Sequence, residues 1–223
     1  MQKIKKEFSE FLIEADSLQF GKFTLKSGRL SPYFFNSSKF NNGPLIEKFG
    51  EYYASAIEHY LPSCNLVFGP AYKGIPLCVT VATSLSKKLN RNIGYCFNRK
   101  ETKKHGDQGA LVGQLPKPDD IIVMVDDVFT DGHTKIESFN LVRNIFNVKF
   151  SGVLVALDRM ESCSHGLDAI SDFQLKTGVP VWSIINIREV FLYLKNRVLK
   201  ETVVLDESIY KNIELYLNEH SIR

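Results

Sequence analysis

Cysteine is scarce in this chain of 223 residues: Cys64, Cys78, Cys96 and Cys163 lie far apart and never form a C-x-x-C pair. That spacing favours buried free thiols, without chemistry of their own, over a metal site or disulfide framework. No apolar run approaches the ~20 residues that a membrane-spanning helix needs. Neither sign of charge dominates, since 28 Lys and Arg against 25 Asp and Glu leave a net charge of +3, which does not mark a nucleic-acid-binding surface. Repeats and low-complexity tracts are also absent. What remains is an ordinary composition, 44% hydrophobic and 24% charged, long enough to bury a substantial core. One α/β domain with a small appendage is expected.

Charge runs through residues 1–16, and Ile4, Phe8, Phe11 and Leu12 recur at helical spacing. This predicts an amphipathic helix rather than a secretory signal, hence a cytoplasmic protein, and makes the Asn36-Ser37-Ser38 sequon a chance match. Residues 22–39 mix Gly, Ser and Pro with two short runs, 23–25 and 33–35, which suits short strands in a small N-terminal hood of roughly residues 1–40. The remainder, roughly 41–223, alternates. Helices are expected at 44–60, 75–89, 134–147, 167–176 and 206–220, and strands at 66–68, 93–97, 121–125, 153–157 and 181–187. Such alternation implies a central, mainly parallel sheet flanked by helices. Residues 98–118 are polar and aperiodic, and a loop of that length is functional or disordered.

The most informative segment is VMVDDVFTDGHT, residues 123–134. Ile121 to Val125 are consecutive apolar residues, too few for a helix and suited to a strand buried on both faces. Ligands of open α/β sheets bind beyond the carboxyl ends of the strands, where Asp126 and Asp127 emerge. Gly132 permits close approach of the backbone, and the spacing of Ile136, Phe139, Val142 and Phe146 starts a helix just after it, so N–H groups surround an anion site. The two carboxylates suit sugar hydroxyls, met directly or through water and a divalent cation.

Three further segments carry charge or unusual turns. Phe97 to Gly109 holds Arg99, Lys100, Lys103, Lys104 and His105; it reads either as a solvated basic loop or as a group of cations for a departing anion. Gly69-Pro70-Ala71-Tyr72-Lys73-Gly74 has the spacing of a P-loop, but Ile75-Pro76 replaces the required Lys-Ser/Thr, leaving a pyrophosphate-binding turn as the alternative. Phe23 to Asn36 is rich in aromatics, which taken alone suit a core.

Together LKSGRLSPYFFN, GPAYKG, FNRKETKKHG and VDDVFTDGHT resemble the orotate phosphoribosyltransferases, a family with the type I phosphoribosyltransferase fold, over about residues 20–160. The hood and loop motifs separate that family from the purine enzymes. The resemblance implies Mg²⁺-dependent transfer of ribose 5-phosphate from phosphoribosyl pyrophosphate (PRPP) to orotate, a step of pyrimidine synthesis that yields orotidine 5′-monophosphate and pyrophosphate. It also implies a homodimer with shared active sites. On this resemblance Lys26, Tyr72, Lys73, Arg99, Lys100, Lys103 and His105 contact PRPP and its pyrophosphate. The ribose-phosphate loop is Asp126, Asp127, Val128, Phe129, Thr130, Asp131, Gly132, His133 and Thr134. Lys26, Phe34, Phe35, Thr130 and Arg159, the last within Leu157-Asp158-Arg159-Met160-Glu161, cradle orotate. An arginine suits the orotate carboxylate because guanidinium pairs with it bidentately. Lys103 and His105 would act on the leaving group and Asp126 and Asp127 on the ribose, with Mg²⁺ held mainly through PRPP and water rather than by protein ligands.

This chain departs from the family pattern at Lys104 and Gln108, where an acid and a glycine are usual, and at Asp131 and His133, where the phosphate loop usually reads T-A-G-T. His133 or Thr134 stands where a hydroxyl is lost. A regulator that kept the fold and bound nucleic acid is the alternative of another class; the modest charge and the intact cationic loop argue against it. Transfer to a purine, nicotinate or uracil is the alternative within the class, and the hood and Arg159 favour the acidic pyrimidine.

Overall fold

The computed structural model describes the chain except residues 26–27, 101–106, 130–131, 163–167, 200 and 222–223. Helix α1 (Gln2–Glu14) precedes a hairpin of β1 (Leu18–Thr24) and β2 (Leu30–Phe35), then α2 (Gly43–Tyr60). The chain continues through β3 (Leu66–Gly69), α3 (Gly74–Leu89), β4 (Gly94–Asn98), β5 (Leu111–Gly113), β6 (Ile121–Val128), α4 (His133–Phe146), β7 (Lys149–Asp158), α5 (Ala169–Thr177) and β8 (Val181–Asn186). It closes with α6 (Ile187–Leu194), a small hairpin of β9 (Val198–Leu199) and β10 (Thr202–Val203), and α7 (Glu207–His220).

Six strands form the central sheet in the order β5-β4-β3-β6-β7-β8, parallel except for β5 at one edge, so the expected α/β architecture stands. Alternate residues of each inner strand enter different cores. Val67, Val123, Val125 and Leu154 pack with residues of α1, α2 and α3, including Phe8, Ile57 and Leu85. Leu66, Phe68, Ile122 and Met124 pack with Phe139 and Val142 of α4 and Phe173 of α5. Burial on both faces explains why β6 is an unbroken apolar run. Phe8 stacks on Phe49 and Phe11 on Phe40, which ties α1 to the start of α2. Among the described residues no helix is long and apolar enough to cross a membrane.

Several expected boundaries move. The aperiodic stretch 98–118 contains β5, whose three residues are too few to show alternation. The expected strand 181–187 ends one residue sooner, because Asn186 caps α6: its side chain accepts from the Glu189 N–H while the Glu189 carboxylate accepts from the Asn186 N–H. The hood strands are longer than the runs 23–25 and 33–35 suggest, with a register shift between Phe20 and Phe23.

Cys64, Cys78 and Cys96 are free and fully buried, as their spacing suggests, whereas Cys163 lies outside the described residues. Burial pushes the Cys64 thiol up to about 11 and those of Cys78 and Cys96 up to about 12. These three thiols therefore stay unlabelled by a maleimide at pH 7.5 while the protein is folded and react once it is denatured. Rapid labelling of all three in the folded state would contradict this burial.

Candidate active site

Taken in chain order, the five parallel strands are arranged 2-1-3-4-5, which puts the topological switch between β3 and β6. Both informative loops leave from there. A cavity of about 360 Å³ at this point is lined by Tyr72, Lys73, Lys100, Asp126, Asp127 and Lys135, together with Val128, Gly132 and Thr134. A second hollow of similar volume, between α2 and α3, is lined by Glu47, Glu51, Lys87 and Lys88; Lys87 pairs with Glu47, and no strand end reaches it.

The turn after β3 folds back tightly. A Cβ on Gly69 would sit 2.0 Å from the Gly74 carbonyl oxygen, and one on Gly74 would sit 2.6 Å from the Gly69 carbonyl carbon, so only glycine fits at either end of GPAYKG. The Gly74 N–H donates to the Pro70 carbonyl at 2.9 Å, and the Ala71 N–H donates to Asn98 Oδ1 at 2.8 Å, fastening the turn to the end of β4. Tyr72 is left exposed, with the Lys100 ammonium 5.2 Å from its ring centroid. Arg99 is exposed beside Lys100.

At the end of β6 each carboxylate has its own cation. Asp126 accepts from Lys135 Nζ at 2.6 Å and from the Asp127 N–H at 2.9 Å. Asp127 accepts from Lys73 Nζ at 2.7 Å, from Ser37 Oγ at 2.6 Å and from the Val128 N–H at 2.8 Å. Burial pushes the Asp126 carboxyl above the usual range; Lys135 opposes this and the charge of Asp127 adds to it. Burial acts in the same direction on Asp127, but the bond and charge of Lys73, with Ser37 and Lys135, outweigh it and hold that carboxyl below the usual range. Asp127 is thus the firmly ionised member. The two cations differ in freedom: the Lys135 side chain is 5% exposed and that of Lys73 59%.

Lys135 was not anticipated. It sits in the first turn of α4, where the helix dipole disfavours a cation, and is retained by Asp126 and by the Val128 carbonyl at 2.8 Å. A lysine at that place after two acids is the signal that could have found it. Ser37 and Tyr53 were also missed; the Tyr53 hydroxyl donates to the Asp126 carbonyl at 2.6 Å. Gly132 caps α4 at φ 76°, a left-handed value, directly over the Phe129 ring, which is buried against Phe173. Phe129 therefore offers the loop its backbone. His133 and Thr134 are exposed at the helix start, where N–H groups lack intrahelical partners.

On the hood side, successive residues of β2 face opposite ways. Phe35 enters the core, whereas Phe34 is exposed and stacks on Phe23 at 5.5 Å. The structure separates these two expected orotate contacts. Arg159 follows β7, the neighbour of β6, and is buried with its guanidinium bonded to Glu161: Nη2 to Oε1 at 2.7 Å and Nε to Oε2 at 3.2 Å. Expected contacts Lys26, Lys103, His105, Thr130 and Asp131 lie outside the described residues, as does Lys104.

No family model matches the chain. Individual relatives do. The chain is 39% identical, over the whole length of both, to an orotate phosphoribosyltransferase of Clostridium botulinum (strain Alaska E43 / Type E3). It is 43% identical to one of Pseudomonas fluorescens (strain Pf0-1), over 87% of this chain and 90% of that one. A crystal structure of orotate phosphoribosyltransferase from Francisella tularensis superposes with a TM-score of 0.81 at 35% identity, covering 96% of this chain and 99% of the other. With full-length identity of this order joined to the same fold, the chain belongs to the orotate phosphoribosyltransferase family.

Proposed function

We propose that the protein transfers ribose 5-phosphate from PRPP to orotate, with the cavity between β3 and β6 as the PRPP site. The observation that carries this reading is the meeting, at one switch point, of a glycine-bounded turn bearing Lys73 and a paired-carboxylate strand end that opens α4. Gly132, His133 and Thr134, with Asp131 and Thr130, take the 5′-phosphate on the backbone N–H groups of the loop and of the helix start. Tyr72, Lys73, Arg99 and Lys100 bind pyrophosphate, and Lys103 and His105 are assigned to it on the family resemblance alone. As the C1–O bond breaks, positive charge gathers at C1 and negative charge on the leaving group. Ionised Asp127 favours the first and the lysines favour the second, while orotate nitrogen attacks from the opposite face. No covalent protein intermediate is needed. Lys103 or His105 supplies the proton or charge that pyrophosphate requires.

Mg²⁺ fits this site as an ion carried in with PRPP: Asp126 and Asp127 are engaged by Lys135, Lys73 and Ser37 and would hold the ion indirectly rather than as ligands. Its chemistry when bound is neutralisation of phosphate charge. On the base side, Phe34 provides a ring face and Arg159 a cation, and Lys26 is assigned to orotate on the family resemblance alone. A homodimer sharing loop residues between sites, one phosphoribosyltransferase domain with its hood over residues 1–40, and a cytoplasmic setting complete the proposal.

Purified protein supplied with Mg²⁺ and PRPP should consume orotate, followed by its ultraviolet absorbance, and stop on chelation. Bound PRPP without consumption of orotate would overturn the reading.

A further inference from the structure

The cluster around Glu161 is outside the PRPP cavity, and of its members only Arg159 has a part in the proposed transfer. Its Oε1 accepts from Arg159 Nη2 at 2.7 Å, from the Tyr33 hydroxyl at 2.6 Å and from the Tyr216 hydroxyl at 3.0 Å. Its Oε2 accepts from Arg159 Nε at 3.2 Å and lies 3.9 Å from Arg29 Nη1. Glu161 thus receives four hydrogen bonds, three on Oε1 and one on Oε2, from three residues that hold it in one orientation. Its side chain is 11% exposed, and the Tyr33 ring lies 4.5 Å from the Arg159 guanidinium carbon.

Two of the five guanidinium N–H donors thus meet one carboxylate, which fixes the plane of Arg159; among the described residues no hydrogen bond uses Nη1. Two arginines around one carboxylate leave a net positive charge. The local backbone sustains this arrangement. Met160 adopts φ 57°, a left-handed turn held by its N–H bond to Asp158 Oδ1 at 2.8 Å, and Ser162 donates from both N and Oγ to the His220 carbonyl at 2.9 and 3.1 Å. Tyr216 and His220 both belong to α7, so the C-terminal helix grips the segment that carries Arg159.

We propose that Glu161, gripped by Tyr216 of α7, is the positioning residue that presents Arg159 to the carboxylate of the acidic base. This rests on the reading of Arg159 as the group that meets that carboxylate. Orienting the guanidinium before substrate arrives lowers the ordering cost of binding, so the effect belongs to orotate affinity rather than to the transfer step.

The test is steady-state kinetics of the full chain with Glu161→Gln, Glu161→Asp, Tyr216→Phe and Arg159→Lys. Glu161→Gln keeps the size but faces Arg159 with an amide, and the orotate KM should rise roughly tenfold, with the PRPP KM and kcat at saturating orotate within about twofold. Glu161→Asp should recover part of that loss, and Tyr216→Phe, which carries the test should Glu161→Gln not fold, should raise the orotate KM about threefold in the same selective way. An unchanged orotate KM in Glu161→Gln, or a parallel rise in both KM values, would overturn the proposal and make the cluster merely structural. If Arg159→Lys also leaves the orotate KM unchanged, the reading of Arg159 itself has failed. If Arg159→Lys raises it and Glu161→Gln does not, only the positioning role has failed.

Discussion

Replacing Lys135 with methionine should lower folding stability by about 3 to 5 kcal/mol at pH 8, the cost of stranding one member of a buried ion pair. Lys135 Nζ is 2.6 Å from Asp126 Oδ2, and the two side chains are 5% and 14% exposed. Methionine fills much the same space, so the loss is electrostatic rather than a cavity. The pH dependence follows from the direction of the Asp126 shift. Burial already pushes that carboxyl up and Lys135 is the first influence opposing it, so the variant carries a folded-state pKa higher still. An acid whose folded pKa exceeds its unfolded value, about 3.9, destabilises the fold progressively as pH rises between the two and imposes no such penalty below the lower one. The deficit against the wild-type protein should therefore narrow between pH 8 and pH 5. Urea unfolding at both values checks it; a deficit under about 1 kcal/mol, or one equal at the two pH values, would show that the pair is not what holds the loop.

Asp127→Asn should act on catalysis instead. Asp127 is the carboxylate held ionised, by Lys73 and Ser37, at the edge of the cavity proposed to hold the ribose of PRPP. The amide keeps the shape and loses the charge, and removing one such electrostatic contact typically costs on the order of a hundredfold in kcat. We expect that loss with the orotate KM nearly unchanged, the reverse of the pattern for Glu161→Gln. Rapid-quench or steady-state kinetics distinguish the two, and an undiminished kcat would remove Asp127 from the chemistry.

The features readable in the sequence are those written in contiguous residues. Strand β6 declares itself because burial on both faces demands an uninterrupted apolar run, and Asp126 and Asp127 mark where that burial ends. GPAYKG is visible because two glycines are needed where backbone meets backbone. What stayed hidden depends on partners far apart along the chain. Ser37 lies 90 residues from Asp127, Tyr216 lies 55 from Glu161, and only the folded sheet and α7 bring them together. The separation of Phe34 from Phe35 needed the register of β2, which an aromatic run does not specify. Strand β5 is too short for alternation, and α6 went unread because its eight residues follow β8 with only Asn186 between Ile185 and Ile187, so Ile187 passes for the end of the strand.

This cavity and Arg159 are proposed to serve transfer to an acidic pyrimidine. The direct test compares kcat/KM for orotate, uracil, adenine and hypoxanthine under identical Mg²⁺ and PRPP. Turnover is expected with orotate and none measurable with the other three, because a site built around a guanidinium discriminates strongly against a base that leaves it unpaired. Turnover of uracil or of a purine at a rate comparable to orotate would contradict it.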